Sequence, residues 1–243
     1  MKIIKLDAID STNTFLRQLS WEQKLDDFTI VIAASQTAGK GQMGTVWDSE
    51  KGKNLTFSVF KKISCLQNDE GFYISIATSL AIYNALKHFQ IPKLAIKWPN
   101  DILSENQKIC GILIENVIQN SKMTAAIIGI GLNVNQTAFN NLQNASSLKK
   151  KTGVHFDLDE VMFQIAGQLK KYSKLITERS FETLKTEYES LLFRKNKPST
   201  FKDKAGNMFM GFIQGVSEDG KLNVLLEDEI MAAFDLKEIK LMF

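Results

Sequence analysis

The run LAIKWPNDIL is apolar at both ends but is interrupted at its centre by the polar residues of Lys97–Asp101. Pro99 has no N–H group and a fixed φ, so the hydrogen-bond ladder of a β-sheet has to pause there. Polar side chains are therefore expected at the end of a buried strand, where a ligand can contact them. Lys108 follows Asp101 by seven residues and precedes a second apolar run. Two lysines and one carboxylate beside buried strands indicate a site for a phosphate group and a metal ion.

The composition indicates a globular protein and argues against DNA binding. With 243 residues, the chain is long enough for one large domain, or for a large domain and a small one. A hydrophobic content of 44% and a charged content of 23% are ordinary for such proteins. The net charge of +3 is too small, and the lysines are too dispersed, to predict binding to DNA. A small basic excess is compatible with an anionic substrate such as a nucleotide.

Signals for export, membrane insertion and metal binding are weak. The segment Met1–Asp7 is too short and too charged for a signal peptide, and no apolar run approaches the ~18 residues of a membrane span. Cys65 and Cys110 do not make a disulfide framework, which predicts a reduced, cytoplasmic protein. The two histidines lie outside any cluster with metal-ligand spacing, which disfavours a zinc site and Ser-His-Asp catalysis.

Strands and helices occur along the first four-fifths of the chain without a strict βαβ alternation, which predicts an α+β fold with a mixed β-sheet. The predicted strands are Lys2–Leu6, Phe28–Ala34, Asn54–Phe60, Leu94–Lys97, Ile109–Val117 and Thr124–Val134, the last two paired as a hairpin. The predicted helices begin at Ser11–Asn13, span Gly71–Phe89, run from Asp157 to about Ile176, and run from Ser180 to about Phe193.

The pattern changes near residue 194. The predicted strands beyond it are short and separated by turn signals; they are Met208–Val216, Lys221–Leu226, Ile230–Phe234 and Ile239–Phe243. Several short strands in fewer than fifty residues predict a small barrel that packs against the main domain, because its own core is small. We therefore predict a large domain over residues 1–194 and a small one over residues 195–243.

A glycine-rich loop follows the strand Phe28–Ala34. Gly39, Gly41 and Gly44 fit the pattern G-x-G-x-x-G, but a strand rather than a helix follows them, which argues against a dinucleotide-binding site. The Walker A pattern is absent, since no Gly-Lys-Ser/Thr occurs. Glycines still allow the backbone to approach a ligand closely and to direct its amides at an anion. Lys40 can add positive charge, and Trp47 can add a flat apolar wall for a ring.

Five segments together resemble the biotin–protein ligase family, also called the biotin–[acetyl-CoA-carboxylase] ligases. They occur in the family's order and are Asp10–Asn13, Gln36–Gly44 with Trp47, Lys97–Asp101, Lys108–Leu113 and Gly129–Asn135. The resemblance extends over roughly residues 1–240. It implies a catalytic domain similar to class II tRNA synthetases, followed by a small SH3-like β-barrel. It does not include the N-terminal DNA-binding domain of some bacterial members, so a repressor function is not expected.

The resemblance implies an ATP-dependent ligase. Such an enzyme activates biotin as biotinyl-5′-AMP, with Mg²⁺ as a cofactor of ATP, and then transfers biotin to a lysine of a biotin carboxyl carrier protein. It implies no DNA or membrane partner, it allows a homodimer, and it leaves the oligomeric state and the particular carrier open.

The resemblance also assigns roles to residues of the matching segments. The catalytic group is Lys108, Lys40 and Asp101, with Asp101 as a transient Mg²⁺ ligand. The residues expected to bind biotin are Ser11, Thr12, Asn13, Gln36, Lys40, Gly41, Gln42, Lys108 and Gly111. The residues expected to bind ATP or the adenylate are Gly39, Gly41, Gly44, Trp47, Lys97, Asn100 and Asn133.

Two features keep other interpretations open. The family's loop is commonly Gly-Arg-Gly-Arg-Arg-Gly, whereas Lys40, Gln42 and Met43 stand at its arginine positions here. Lysine keeps the charge but not the bidentate fork of arginine, so either Lys40 and Lys108 carry the charge alone or another cation enters. A lipoate–protein ligase is the nearest enzyme alternative, although that family lacks the Lys97–Asp101 motif. A biotin-binding regulator without catalysis is the non-enzymatic alternative.

Overall fold

The computed structural model describes residues 1–139, 142 and 144–243. These residues form a mixed seven-stranded sheet with helices on its two faces, and a second, five-stranded antiparallel sheet near the C-terminus. The predicted α+β class and the mixed sheet are confirmed. The first sheet ends with Leu132 and the second begins with Pro198, while the domain boundary at residue 194 stays a prediction.

The strands and helices are numbered in chain order. The strands are β1 (Ile3–Ile9), β2 (Thr29–Gln36), β3 (Leu55–Lys62), β4 (Leu94–Lys97), β5 (Asp101–Ser104), β6 (Gln107–Gln119), β7 (Lys122–Leu132), β8 (Pro198–Asp203), β9 (Met208–Val216), β10 (Leu222–Leu226), β11 (Met231–Phe234) and β12 (Ile239–Met242). The helices are α1 (Thr12–Glu22), α2 (Phe72–His88), α3 (Leu148–Thr152), α4 (Leu158–Thr177) and α5 (Phe181–Ser190).

Most predicted elements are present, and three elements were not predicted. The hairpin between β6 and β7 turns at Asn120 and Ser121, both with positive φ, as a two-residue hairpin turn requires. The predicted cap of α4 is also present, since the carboxylate of Asp157 accepts a hydrogen bond from the Glu160 N–H. The unpredicted elements are β5, β8 and α3, each six residues long or shorter.

The order of strands in the first sheet is β1-β2-β3-β7-β6-β5-β4, and only β1 and β2 are parallel. Helix α1 covers one face, where Leu16 packs with Val31, Phe60 and Ile127. The opposite face is covered by α2, which is apolar almost all round because α4 packs on its far side.

The register of the first sheet places a row of small and polar residues across its α1 face. The pairs Thr56–Gly131, Gly131–Gly111, Gly111–Asp101 and Asp101–Lys97 lie directly opposite one another on neighbouring strands. Since opposite residues in a sheet share a face, the sequence motif containing Lys97 and Asp101 lies beside two residues without side chains. The row therefore forms a shallow trough that ends in charged groups.

The second sheet packs against the β4 edge of the first. Its order is β11-β10-β9-β8-β12, and its core contains the stacked rings of Phe201, Phe209 and Phe234. Trp98 joins the two sheets, because its indole Nε1–H donates to the Gly220 carbonyl over 2.9 Å. Gly220 itself lies against Phe72, with no room for a Cβ atom.

No helix in the described part of the chain is both long enough and apolar enough to cross a membrane.

Trp98→Phe removes the indole hydrogen bond and leaves the Gly220 carbonyl at the junction without its donor. We expect the free energy of unfolding to fall by about 1–3 kcal/mol, measured by urea denaturation. Trp21→Phe is the matched control, because Trp21 is 68% exposed and a change there should stay within ~0.5 kcal/mol. Equal effects of the two substitutions would contradict the role of Trp98 at the junction.

Candidate active site

A cavity of 560 Å³ lies over the trough on the α1 face of the first sheet and continues to the second sheet. Its walls come from the start of α1, the loop between β2 and β3, the segment Lys97–Asp101, strands β6 and β7, and the residues around β12. Its lining includes neutral polar side chains at the start of α1 and the lysines Lys97 and Lys108. The cavity therefore joins a hydrogen-bonding slot to a cationic region.

The floor of the cavity is a pair of glycines covered by Trp47. A Cβ atom on Gly131 would lie 2.4 Å from Cε2 of Trp47, and one on Gly111 would lie 3.1 Å from Cζ3. The indole therefore contacts the backbone of β6 and β7 directly. A side chain at position 111 or 131 would occupy the same space. The indole Nε1–H is buried and has no hydrogen-bond partner among the described residues.

Two lysines share Asp101 beside this floor. Nζ of Lys108 lies 2.6 Å from Oδ1 of Asp101, and Nζ of Lys97 lies 3.7 Å from Oδ2. Burial lowers the pKa of Lys97 below its ordinary value, and Lys108 and Lys240 also repel its charge, whereas Asp101 attracts it. The positive charges outnumber the carboxylate that they share. The cluster is therefore suited to an anionic ligand.

The residues that flank this cluster are fixed by the backbone of β6. The Asn100 amide Nδ2–H donates to the Ile112 carbonyl over 2.8 Å, and the Ile112 N–H donates back to the Asn100 carbonyl.

Cys110 is fully buried, and burial raises the pKa of its thiol well above the ordinary value. A buried thiol that resists ionisation is a packing residue rather than a nucleophile.

The polar end of the cavity is built around the start of α1. Oε1 of Gln36 accepts a hydrogen bond from the Thr12 N–H over 2.8 Å and lies 3.1 Å from the Thr12 hydroxyl. Ser11 is the residue before the helix, and its side chain makes no cap hydrogen bond. Its hydroxyl, which lines the cavity, is not engaged in capping and can be offered to a ligand.

The glycine-rich loop closes the cavity as a small hairpin. Lys40 and Val46 pair as an isolated bridge, and Nζ of Lys40 donates to the Thr14 hydroxyl of α1 over 2.9 Å. Gln42 and Met43 lie at the tip of this hairpin and line the cavity, and Met43 has a φ of 58°. At each arginine position of the family's loop this chain therefore has a side chain that reaches the cavity.

Most residues predicted from the motifs lie around this one cavity. Those that line it are Ser11, Thr12, Asn13, Gln36, Lys40, Gly41, Gln42, Trp47, Lys97, Asn100, Asp101, Lys108 and Gly111. Three predicted residues, Gly39, Gly44 and Asn133, are not part of its lining. Asn133 instead uses its Nδ2–H to hold the Ser146 carbonyl, over 3.0 Å. The individual roles of all these residues stay predictions.

Two cavity lysines were missed by the sequence analysis. Lys237 and Lys240 lie in the C-terminal segment and line the same cavity as Lys97 and Lys108. The segment carries no motif, and its place beside β4 depends on how the second sheet docks. The presence of several lysines near the C-terminus was the one sequence feature that could have pointed to them.

The lining contains no preformed cation site within the described ranges. Asp101 is its one carboxylate there, and both of its oxygens face lysines. No cluster of three metal-ligating side chains occurs among the described residues either. Mg²⁺ commonly binds through one or two carboxylates and substrate phosphates, so these residues fit an ion that arrives with a phosphate ligand, not one held by the protein alone.

The sequence matches the model of one protein family, described as "Biotin/lipoate A/B protein ligase family", over residues 6–133. Among curated proteins, it is 29% identical to the bifunctional ligase/repressor BirA of Bacillus spizizenii over 232 residues, which cover 93% of this chain and 70% of that protein. It is 25% identical over 228 residues to the biotin–[acetyl-CoA-carboxylase] ligase of Paracoccus denitrificans, covering 89% of this chain and 91% of that one.

Solved structures match over almost the whole chain. The biotin protein ligase of Aquifex aeolicus, in complex with biotin and ATP, superposes with a TM-score of 0.83 at 26% identity, covering 99% of this chain and 98% of that one. The biotin protein ligase of Leishmania major, in complex with biotinyl-5-AMP, has a TM-score of 0.66 at 20% identity and shares the fold.

Gly131→Ala places a methyl group where the Trp47 indole lies, so we expect the indole to be displaced from the sheet and to become more exposed. The measurement is acrylamide quenching of Trp47 fluorescence in a background where the other two of the three tryptophans are phenylalanine. Gly167→Ala is the control, since no atom lies within 4 Å of that position and alanine in a helix should stabilise by about 0.5–1 kcal/mol. Unchanged quenching in Gly131→Ala would show that the trough accommodates the methyl group without displacing Trp47.

Proposed function

Because the chain belongs to the biotin/lipoate A/B protein ligase family, we propose that it is a biotin protein ligase. It activates biotin with ATP as biotinyl-5′-AMP and transfers the biotinyl group to a lysine of a carrier protein. The observation that carries this proposal is the single cavity in which a neutral polar slot adjoins a cluster of lysines. A heterocyclic acid fits the slot, and the phosphates of a nucleotide fit the lysines.

The first step joins two anions, and the lysines make this possible. A carboxylate oxygen of biotin attacks the α-phosphorus of ATP, the bond from that phosphorus to the bridging oxygen breaks, and pyrophosphate leaves. Lys97 and Lys108 reduce the repulsion between the reactants and stabilise the charge that develops in the transition state. The charge of Asp101 between them holds both ammonium groups in place.

The second step needs no nucleophile from the enzyme. The neutral amine of the carrier lysine attacks the carbonyl carbon of the mixed anhydride, a proton is lost from that amine, and AMP leaves. The protein supplies orientation of the reacting groups and protection of the anhydride from water. The buried Cys110 thiol, with its raised pKa, fits a route without a covalent enzyme intermediate.

The slot at the start of α1 suits the ureido ring of biotin. Such a ring carries one carbonyl oxygen and two N–H groups, which need donors and acceptors at fixed positions. Ser11, Thr12 and Gln36 bring these groups together at one end of the cavity. The dithiolane ring of lipoate has no comparable groups, and burying the slot's polar atoms against it would leave them unpaired. The slot therefore favours biotin over lipoate.

The nucleotide binds over the trough and among the lysines. Trp47 lines the cavity and offers a flat apolar surface for a ring. Lys97, Asn100 and Lys108 border the region expected to take the α-phosphate. Asp101 is the residue that would contact a Mg²⁺ ion bound to the ATP phosphates, and such an ion would neutralise part of their charge.

The remaining partners follow from this activity. The acceptor is a biotin carboxyl carrier protein of acetyl-CoA carboxylase or a related carboxylase. The free thiols of Cys65 and Cys110 suit a reducing compartment such as the cytoplasm.

One assay separates the three interpretations. Purified protein is incubated with ATP, Mg²⁺, hydroxylamine and either biotin or lipoate, and the acyl hydroxamate is measured. We expect biotinyl hydroxamate and little lipoyl hydroxamate. The reverse preference would identify a lipoate ligase, and biotin binding without any hydroxamate would identify a regulator without catalysis.

Lys108→Ala should reduce the rate of pyrophosphate release by ~10²-fold or more, since it removes a cation from the transition state. The fold should be intact, because the Lys108 side chain is 38% exposed. Lys122→Ala is the control, at the exposed lysine that begins β7. A Lys108→Ala variant that releases pyrophosphate at the wild-type rate would remove Lys108 from the mechanism.

Gln42→Arg tests whether the loop lacks charge. Because four other lysines, besides Lys40 on the same loop, line the cavity with Gln42, an added arginine should change little. We expect the dissociation rate of biotinyl-AMP to change by less than ~10-fold, or about 1.4 kcal/mol, in a rapid-dilution assay. Gln42→Lys is the companion variant. If Gln42→Arg slows the dissociation of biotinyl-AMP by more than this, the wild-type loop binds the adenylate more weakly than a loop with arginine does.

A further inference from the structure

The outward face of the second sheet is apolar at its centre. Residues that lie directly opposite one another on neighbouring strands share a face, and the register groups six apolar side chains in this way, on the side away from the stacked phenylalanines. We call them the methionine face; they are Met208, Met210, Phe212, Leu225, Met231 and Met242. Its four methionines are between 38% and 55% exposed. Grouped apolar side chains in solvent mark interaction surfaces, and methionine adapts readily to a partner.

Two unpaired lysines lie on the same face. Lys202 of β8 is directly opposite Met208 on one side and directly opposite Lys240 of β12 on the other. Both lysines are exposed, and neither has an ion-pair partner among the described residues. Like charges directly opposite one another destabilise a sheet. A carboxylate from another molecule would relieve this repulsion.

The face does not complement itself. Asp203 is the one acidic residue of the five strands, and it follows Lys202, so its side chain points to the opposite side of the sheet. In a two-fold symmetric dimer the same patch meets itself, and the lysines would then find no carboxylate on the strands of the second copy. The charge pattern therefore favours a different protein, with acidic groups, over a second copy of this chain.

The face adjoins the mouth of the cavity at Lys240. This lysine also lines the cavity, and it lies close enough to repel the charge of Lys97. None of the six residues of the methionine face belongs to the described lining. A protein bound to the face would therefore lie beside the cavity without filling it. The second step of the reaction needs this arrangement, because the acceptor lysine enters while the rest of the carrier stays outside.

We propose that the methionine face, together with Lys202 and Lys240, is the docking surface for the carrier protein. The carrier contacts the methionines with apolar side chains and places carboxylates against the two lysines. This inference rests on the proposed function, because the docked protein is taken to be the acceptor of biotin.

The test compares a protein acceptor with a small one in the double variant M210E/M231E. The protein acceptor is the purified biotin carboxyl carrier domain of an acetyl-CoA carboxylase that the wild type biotinylates, and the small acceptor is hydroxylamine. We expect the KM for the carrier to rise at least ~10-fold, since the new charges repel its carboxylates and remove apolar contact. The rate of biotinyl hydroxamate formation should not change, because hydroxylamine needs no docking surface.

The matched control is V154E/F163E, at positions that are 54% and 51% exposed and lie outside both sheets. It adds the same two charges and should leave the KM for the carrier unchanged.

Lys202→Glu tests the charged part of the surface at a residue outside the described cavity lining. The wild-type KM for the carrier should rise with salt, because salt screens the attraction between charges. Lys202→Glu should raise this KM at low salt and weaken its salt dependence, with hydroxamate formation unchanged. Lys24→Glu, at an exposed lysine after α1, is the control.

A wild-type KM for the carrier in M210E/M231E and in Lys202→Glu, with both variants folded by circular dichroism, would overturn the proposal. A wild type that sediments as a dimer, and that M210E/M231E converts to a monomer with an unchanged KM, would assign the face to a second copy instead. A wild type that forms no biotinyl hydroxamate would overturn the proposed function.

Discussion

The absence of side chains at three positions of two neighbouring strands underlies the whole site. Gly129, Gly131 and Gly111 leave the backbone of β6 and β7 bare on the face that α1 covers. Asn13 lies on the first of these glycines and the Trp47 indole on the other two. The polar slot and the lysine cluster can belong to one cavity because nothing rises from the sheet between them. In a closely packed protein, Asn13 and the Trp47 indole can lie this close to the sheet only where side chains are missing.

The sequence predicted the parts of this arrangement that depend on local chemistry. Pro99 marked the interruption of a strand, and the charged residues around it line the cavity as expected. The cap at Asp157 and the two-residue turn at Asn120 followed from well-known residue preferences. Strand β5 was missed because the chain resumes pairing immediately after the interruption, with four residues, which is too short for a periodic signal.

The parts that depend on distant pairing could not be read from the sequence. The row from Thr56 to Lys97 crosses five strands, and its alignment is set by register, which is a property of the folded sheet. Lys240 meets Lys97 only because the second sheet docks on the edge of the first. Ser58 and Glu115 form hydrogen bonds with Asn13 behind the cavity lining, and no motif marked them. The glycine loop was recognised, but the contact of Lys40 with Thr14 was not.

The contacts between the two sheets limit which C-terminal sheets could be exchanged in a chimaera. Trp98 belongs to the motif that borders the lysine cluster, yet its indole is bound to the Gly220 carbonyl of the second sheet. The segment between the sheets is also tied to each of them by backbone pairing, because Leu192 pairs with Ile96 of β4 and Lys195 pairs with Ile213 of β9. A chimaera cut near residue 194 would therefore need a C-terminal partner with a matching turn at residues 217–220. The two sheets are consequently expected to be inherited together, since their buried apolar residues also belong to one hydrophobic cluster.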